Sequence, residues 1–402
     1  MKNPAAFHAL LTAFIAFWLV GTTDLGAQDD VPTVSGLQFG VHDDRVRLRL
    51  NVVPTPAFAL FTLNNPDRLV VDFPALNWNV PEQQQEGIPF ISSIRYGLFR
   101  QDRARVVMDL AEPVSIERAF TVPERGAEPG RLVVDLAPTT REAFDARAGL
   151  PEQARWHGDA PPVPAQARKG DIVVAIDPGH GGIDPGAKFG KFTEKSIVLE
   201  FSKELAAAIS ARPGMTAYLI RDRDEFVPLA ERVARAHLAR ANVMLSIHAD
   251  SVESGKAHGM SLYTLSAKGS DQAANALAAR ENRADVIAGA DLGGETDDLT
   301  RLLVELAQRG TKDESSKLAK AVLMSLRGRV DLLRTRPHRQ ANFRVLKAPD
   351  IPSLLVELGF LDSKRDRKRL KDPEWRQTAI NAIVDGINAW REEASPGFLT
   401  PR

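Results

Sequence analysis

Between Val31 and about Pro138, apolar and polar residues alternate over short runs broken by Pro, Asn, Asp and Gly. That two-residue period belongs to strands with one buried face, so the pattern predicts an all-β region. Four of the runs resemble one another in pairs. RVRLRLNV (Arg45 to Val52) leads to PDRLVVDF (Pro66 to Phe73), and RARVVMDL (Arg103 to Leu110) leads to PGRLVVDL (Pro129 to Leu136). Two similar strand sets predict two packed sheets, a small sandwich. Leu and Val alternate there with Arg or Asp, so the arginines are expected on a solvated face or on a surface that binds carbohydrate or another envelope component.

The alternation dissolves between Thr139 and about Gly170 into Ala, Pro, Glu, Arg and Gln, the texture of a linker. From Asp171 to about Ser395 the period changes. DIVVAIDPGH is a continuous apolar strand, and Ile197, Val198, Phe201, Leu205 and Ala208 fall at helical spacing after Glu194. Strand then helix, repeated, predicts an α/β domain around a mostly parallel sheet flanked by helices. The stretch from His248 to Glu357 is too long for one crossover, which implies an insertion. It reads as a strand, GMSLYTLS, followed by helical segments over 271–289, 297–309 and 314–333. Leu299, Leu302, Leu303 and Leu306 form an apolar stripe on the second of these, suited to its own domain or to a docking partner.

The first residues add a location. Lys2, an uncharged apolar run through Val20 and small residues ending at Ala27 make the pattern of a secretory signal peptide over 1–27. The run is short against the ~20 residues of a membrane-spanning helix, so an exported product with no membrane span after cleavage is expected. With 402 residues, two domains are the natural expectation. The 52 basic and 52 acidic residues give no net field to draw the chain onto nucleic acid. The absence of cysteine excludes disulfides, thiolate ligands and a cysteine nucleophile, so any metal sits on His, Asp or Glu.

Three apolar strands of the α/β half end in residues able to hold a metal or move a proton: VVAIDPGH at His180, VMLSIHAD at His248 and PSLLVELGF at Glu357. In open α/β sheets the ligand crevice lies beyond the carboxyl ends of the strands, where such endings converge. Leaving these groups unpaired in an apolar setting costs about 1 to 3 kcal/mol each, a penalty that a metal removes. Glu194 opens the following helix and points back toward the strand ends. His180, Glu194 and His248 with one open position form a catalytic zinc set, and Glu357 is the carboxylate that takes the proton from the attacking water. Asp177 precedes the metal loop and is a candidate acceptor that orients His180, or simply a turn residue. The charges of RDRDEFVPLAERVARAH are expected mostly on a solvated face.

The run DPGHGGIDPGA, the TEKSIVLE helix start, SIHAD and LLVELGFLDS together resemble the zinc N-acetylmuramoyl-L-alanine amidases of bacterial cell-wall turnover. The resemblance spans Ile172 to Trp390, and the β half, through PDRLVVDF, is similar to the targeting domain ahead of this amidase in Gram-negative enzymes. It implies zinc on His180, Glu194 and His248, Glu357 as general base, and a periplasmic enzyme of wall turnover or daughter-cell separation. The bond cut would join the lactyl group of muramic acid to L-alanine of peptidoglycan. Asp250 departs from the Asn common in the family, a change that touches substrate contacts rather than the ligand.

Ala274, Leu277, Glu281, Ala284 and Ala288 share one face of the inserted helix, so Glu281 sits on the apolar stripe and needs a partner. Arg280, Arg283 or a core arginine would serve. Zinc itself is the other choice, and ENRADVIAG resembles the segment that covers the metal in relatives until an activator protein moves it. Two other classes use the same residues: a zinc peptidase or deacetylase on envelope substrates, told apart by the fragments released, and a non-catalytic envelope-binding protein, told apart by a dye-release assay.

Overall fold

The computed structural model describes residues 31–42, 44–80, 87–100, 102–126, 128–149, 170–251, 257–289 and 298–399, without the side chains of 298–309. The expected signal peptide, most of the linker and the leucine stripe at 299–306 lie outside the described residues and side chains.

The first half contains β1 (Thr33–His42), β2 (Arg45–Val53), β3 (Ala59–Leu63), β4 (Arg68–Pro74), β5 (Asn77–Trp78), β6 (Ile91–Arg100), β7 (Arg103–Leu110), β8 (Val114–Val122) and β9 (Arg131–Pro138). They form the expected two sheets, ordered β5-β1-β2-β9-β8 and β3-β4-β7-β6. The repeat crosses between them: β2 pairs with β9 in one sheet and β4 with β7 in the other. Leu48, Leu50, Val134 and Leu136 meet Leu69, Val71, Val106 and Met108 in the core between the sheets. The linker starts later than expected. A short helix, α1 (Arg141–Asp145), is capped by Thr140, whose hydroxyl accepts from the Ala143 amide at 3.2 Å, and Phe144 buries its ring in this core.

The second half contains β10 (Ile172–Pro178), β11 (Lys188–Phe189), β12 (Phe192–Thr193), α2 (Glu194–Ser210), β13 (Met215–Leu219), α3 (Leu229–Leu238), β14 (Val243–His248), β15 (Ser261–Leu265), α4 (Gln272–Glu281), α5 (Ala284–Ile287), α6 (Asp298–Leu326), β16 (His338–Ala341), β17 (Ser353–Glu357), α7 (Lys364–Leu370) and α8 (Pro373–Glu393). The sheet order is β13-β10-β14-β17-β15-β16. Pairings are parallel except that β15 runs against β17. Val174, Ile176, Leu245, Ile247, Leu354 and Val356 face α2, α6 and α8 on one side. On the other side, Ala175, Met244, Tyr263 and Leu355 pack with Phe226, Leu277 and Phe343, and this cluster continues into Phe61, Val70, Phe99 and Val107 of the β-domain. The β-domain thus completes the second face of the six-stranded sheet.

Two helical expectations change. The segments expected at 297–309 and 314–333 form one helix, α6, which ends at Leu326. Gly310 costs only about 1 kcal/mol in a helix interior, which burial of Leu318, Val322 and Leu326 offsets. The segment expected at 271–289 divides into α4 and α5 at Asn282 and Arg283, and its apolar stripe, Glu281 included, is buried as expected. No described helix is long and apolar enough to cross a membrane.

Candidate metal centre

Parallel register brings the three chemical strand ends side by side. β10, β14 and β17 are neighbours, with His248 directly opposite Glu357. Past β10 the chain turns sharply: Gly179 donates its amide to Ile247 O at 2.9 Å, and a Cβ on it would lie 2.4 Å from the His248 ring. Only glycine allows the two strand ends to come this close. His180 follows with φ of 56°, a left-handed conformation that costs a histidine about 1 to 3 kcal/mol and turns its ring toward the crevice.

Four buried side chains meet there. His180 Nε2 lies 3.2 Å from one oxygen of Glu194, and His248 Nδ1 lies 3.1 Å from the other. Glu281 Oε2 approaches the same two nitrogens at 3.4 and 3.2 Å. Donor atoms of His180, His248 and Glu281 fall within 4.8 Å of one another, a group that can hold a metal ion. Tetrahedral ligands at about 2.0–2.1 Å from a small divalent ion are separated by about 3.3 Å, close to the 3.4 and 3.2 Å from Glu281 to the two imidazoles. Glu194, the expected ligand, is not in that group and faces each imidazole with a different oxygen. His180 Nε2 has no hydrogen-bond partner although buried, as a nitrogen reserved for a metal would be. Glu194 reaches the cluster because α2 begins with it. Its two oxygens also accept from the amides of Ala187 and Ala249, each at 2.9 Å, which fixes the carboxylate.

Asp184, which the sequence reading missed, accepts from His180 Nδ1 at 2.8 Å and leaves Nε2 turned inward. The expected acceptor, Asp177, does not reach that ring. Its oxygens are taken by Arg232 Nη1 at 2.6 Å and Ser246 Oγ at 2.8 Å, because strand alternation turns it under the sheet rather than into the crevice. Arg232 also donates to the carbonyls of Pro178 and His180, both at 2.8 Å. Arg221 donates to those of Pro178 and Gly179 at 2.9 and 2.7 Å. These two arginines, expected on a solvated face, are buried and staple the loop that carries His180 by its backbone. Their signal was present in the composition of the segment, but its helical spacing did not single them out.

Charge in the crevice is unbalanced. Asp184, Glu194, Asp250, Glu281 and Glu357 are all buried around two imidazoles. Burial pushes Glu357 well above the usual carboxylate range, reinforced by the like charges of Asp250, Glu194 and Glu281. Burial likewise raises Asp250 to about 7, with Glu194 and Glu281 adding to it against Arg280. For His180, burial acts to lower the pKa, but the carboxylates of Glu194, Asp184 and Glu281 outweigh it and hold the ring well above its ordinary value. Such a site favours a bound cation. Glu357 Oε2 accepts from the Asp250 amide at 3.2 Å while Oε1 has no partner and is buried. Arg280 pairs with Asp250, so α4 is tied down at the residue next to Glu281.

Comparison with known proteins agrees with this architecture. The N-acetylmuramoyl-L-alanine amidase family matches residues 174–389, and the AMIN domain matches residues 36–136. The N-acetylmuramoyl-L-alanine amidase AmiC of Neisseria meningitidis is 36% identical over 363 residues, 86% of each chain. AmiC of Escherichia coli O6:H1 is 36% identical over 348 residues, 82% of each chain. Among solved structures, the amidase AmiC2 of Nostoc punctiforme is 27% identical, covers 55% of this chain and 97% of its own, and has a TM-score of 0.40. The chain therefore belongs to the N-acetylmuramoyl-L-alanine amidases, hydrolases of cell-wall peptidoglycan, with an AMIN domain ahead of the catalytic one.

Proposed function

We propose that the enzyme is an exported, periplasmic zinc amidase of wall turnover or daughter-cell separation, held at rest by its own Glu281. In this reading His180, Glu194 and His248 hold the ion and Glu357 is the general base. The observation that carries it is the pair of carboxylates, Glu194 and Glu281, each 3.1–3.4 Å from the facing nitrogens of His180 and His248, beside the unpartnered oxygen of Glu357.

Zinc held there would supply a Lewis acid that polarises the scissile carbonyl and activates water near neutral pH. The chain's own residues do the rest. Glu357, ionised once a cation offsets the neighbouring carboxylates, accepts the proton of the attacking water and returns it to the departing L-alanine amine. The water oxygen becomes the new lactyl carboxylate oxygen as the C–N bond breaks. Asp184 holds the His180 ring, and Arg221 and Arg232 hold the loop that carries it. Glu281, 3.4 and 3.2 Å from the nitrogens of His180 and His248, would keep the attacking water from the ion, so turnover would require α4 to move, and a partner protein that draws the inserted helices aside would act as activator.

Metal content and hydrolysis of purified peptidoglycan test both halves. Glu357→Gln should retain zinc and lose about 100- to 10,000-fold of the rate. Glu281→Ala should retain zinc and hydrolyse faster without any partner. Mass analysis of the fragments should show whole stem peptides freed from glycan. Unchanged hydrolysis by Glu281→Ala at full zinc content would remove the resting block from this picture.

A further inference from the structure

The sheet β3-β4-β7-β6 turns one face to the catalytic domain, and the arginines on that face are not solvated as expected. Arg68 of β4 and Arg105 of β7 are only 4% and 2% exposed, whereas Arg45, Arg47 and Arg49 of β2, on the opposite sheet, meet solvent. The donors of the first two, joined by Arg95 of β6, all end on one short stretch of backbone just past Glu281. Arg68 Nη1 reaches Val286 O at 2.8 Å, and Arg95 Nε reaches Ile287 O at 3.0 Å. Arg105 Nη1 reaches Ala288 O at 3.2 Å and Gly289 O at 2.6 Å. These carbonyls form the C-terminal end of α5, where Val286 O also accepts from the Gly289 amide at 3.0 Å.

The guanidinium groups of Arg105 and Arg95 are also held by carboxylates of their own sheet. Arg105 is bidentate to Asp72 at 2.5 and 2.7 Å and lies 3.6 Å from the centre of the Phe99 ring. Arg95 is bidentate to Asp109 at 2.5 and 2.7 Å. Gly289, with φ of 63°, lets the backbone lie against Val70 and Val107. The same domain is anchored to the frame of the metal loop: Phe226 N donates to Leu98 O at 3.2 Å, Arg100 pairs with Glu231 at 2.9 Å, and Gly97 packs directly on Gly182. A four-residue helix has little stability of its own, so α5 depends on such contacts.

We infer that this face of the β-domain is a binding surface for residues 286–289 of its own chain, a latch that holds Glu281 against the two histidines. The inference rests on the reading of Glu281 as a block. Any occupant of the arginine face that displaces 286–289 opens the site by the factor with which opening strengthens that occupant's binding.

Full-length variants test it. Arg95→Ala is the first choice, because Asp109 is partly exposed and retains Ser93, while removing Arg105 would strand Asp72. Arg68→Ala together with Arg95→Ala deepens the effect, Arg47→Ala on the opposite sheet is the control, and thermal melts verify folding. Hydrogen exchange of the 281–289 amides should quicken, and basal peptidoglycan hydrolysis should rise roughly five- to a hundredfold, with Arg47→Ala at the wild-type level. If Glu281→Ala raises hydrolysis while folded arginine variants leave exchange and rate unchanged, the latch is overturned and the block stands. If Glu281→Ala does not raise hydrolysis, the block fails and exchange alone decides: quicker exchange keeps the latch on 286–289, and unchanged exchange overturns it.

Discussion

At the scale of single residues, the crevice works through groups that keep other groups in one state. His180 can present Nε2 inward only if Nδ1 carries the proton, and Asp184 at 2.8 Å makes that tautomer the stable one. Asp184→Ala should therefore weaken metal binding by about 10- to 100-fold, measured by competition with a chelator of known affinity. Unaltered affinity would assign Asp184 to loop structure alone, through its oxygen on the Gly186 amide at 3.1 Å. Asp177 differs from it by strand position. It belongs to β10 itself and faces Arg232 and Ser246, whereas Asp184 lies on the loop that folds back over the ring.

At the scale of elements, legibility in the sequence followed periodicity. Strands β10, β14 and β17 were plain as apolar runs, and their chemical endings marked the crevice, since parallel order places such endings together. The stripe that buried Glu281 was readable for the same reason. What periodicity does not carry is the target of a long side chain. Arg68, Arg105, Arg221 and Arg232 sit in patterns that suit solvent, yet each buries its head on backbone carbonyls contributed by elements distant in sequence. Nor does it fix helix ends, as the division of 271–289 and the joining of the segments expected at 297–309 and 314–333 into α6 illustrate. The N-terminus of α4 offers a test at this scale. Asp271 caps it, accepting from the Ala274 amide at 2.9 Å. Asp271→Ala should cost the helix about 1 kcal/mol, quicken hydrogen exchange over 272–281 and raise basal hydrolysis less than Glu281→Ala does. Exchange left unchanged there would mean that packing of Ala274, Leu277 and Ala278 suffices to hold α4.

At the scale of the whole molecule, a buried site with excess carboxylate makes folding depend on what neutralises it. Metal bound only by the native state stabilises it by mass action, about 4 kcal/mol when free metal stands a thousandfold above the dissociation constant. A chelator should lower the melting midpoint, and the stability of the stripped protein should then depend on pH in a defined direction. Glu357 and Glu281 are raised from the ordinary carboxylate range by burial first, and Asp250 is raised from 3.8 to about 7. Despite burial, His180 and His248 are raised by the carboxylates facing them. For all of these the native state binds protons more tightly than the unfolded chain does. Their contribution is thus complete below the unfolded pKa values and is lost as pH rises through the folded ones. Glu194 and Asp184, held low chiefly by His180 against the cost of burial, act in the opposite sense, but only below the unfolded carboxylate range. Between about pH 5 and 8 the raised groups therefore dominate, and chelated protein should melt at progressively lower temperature as pH rises. Metal-loaded protein should show a flatter profile, because the cation replaces the protons as the neutralising charge. Parallel melts of chelated and zinc-saturated samples across that range measure the difference. Equal slopes would mean that the carboxylates of the crevice are compensated from within the fold and do not depend on a cation.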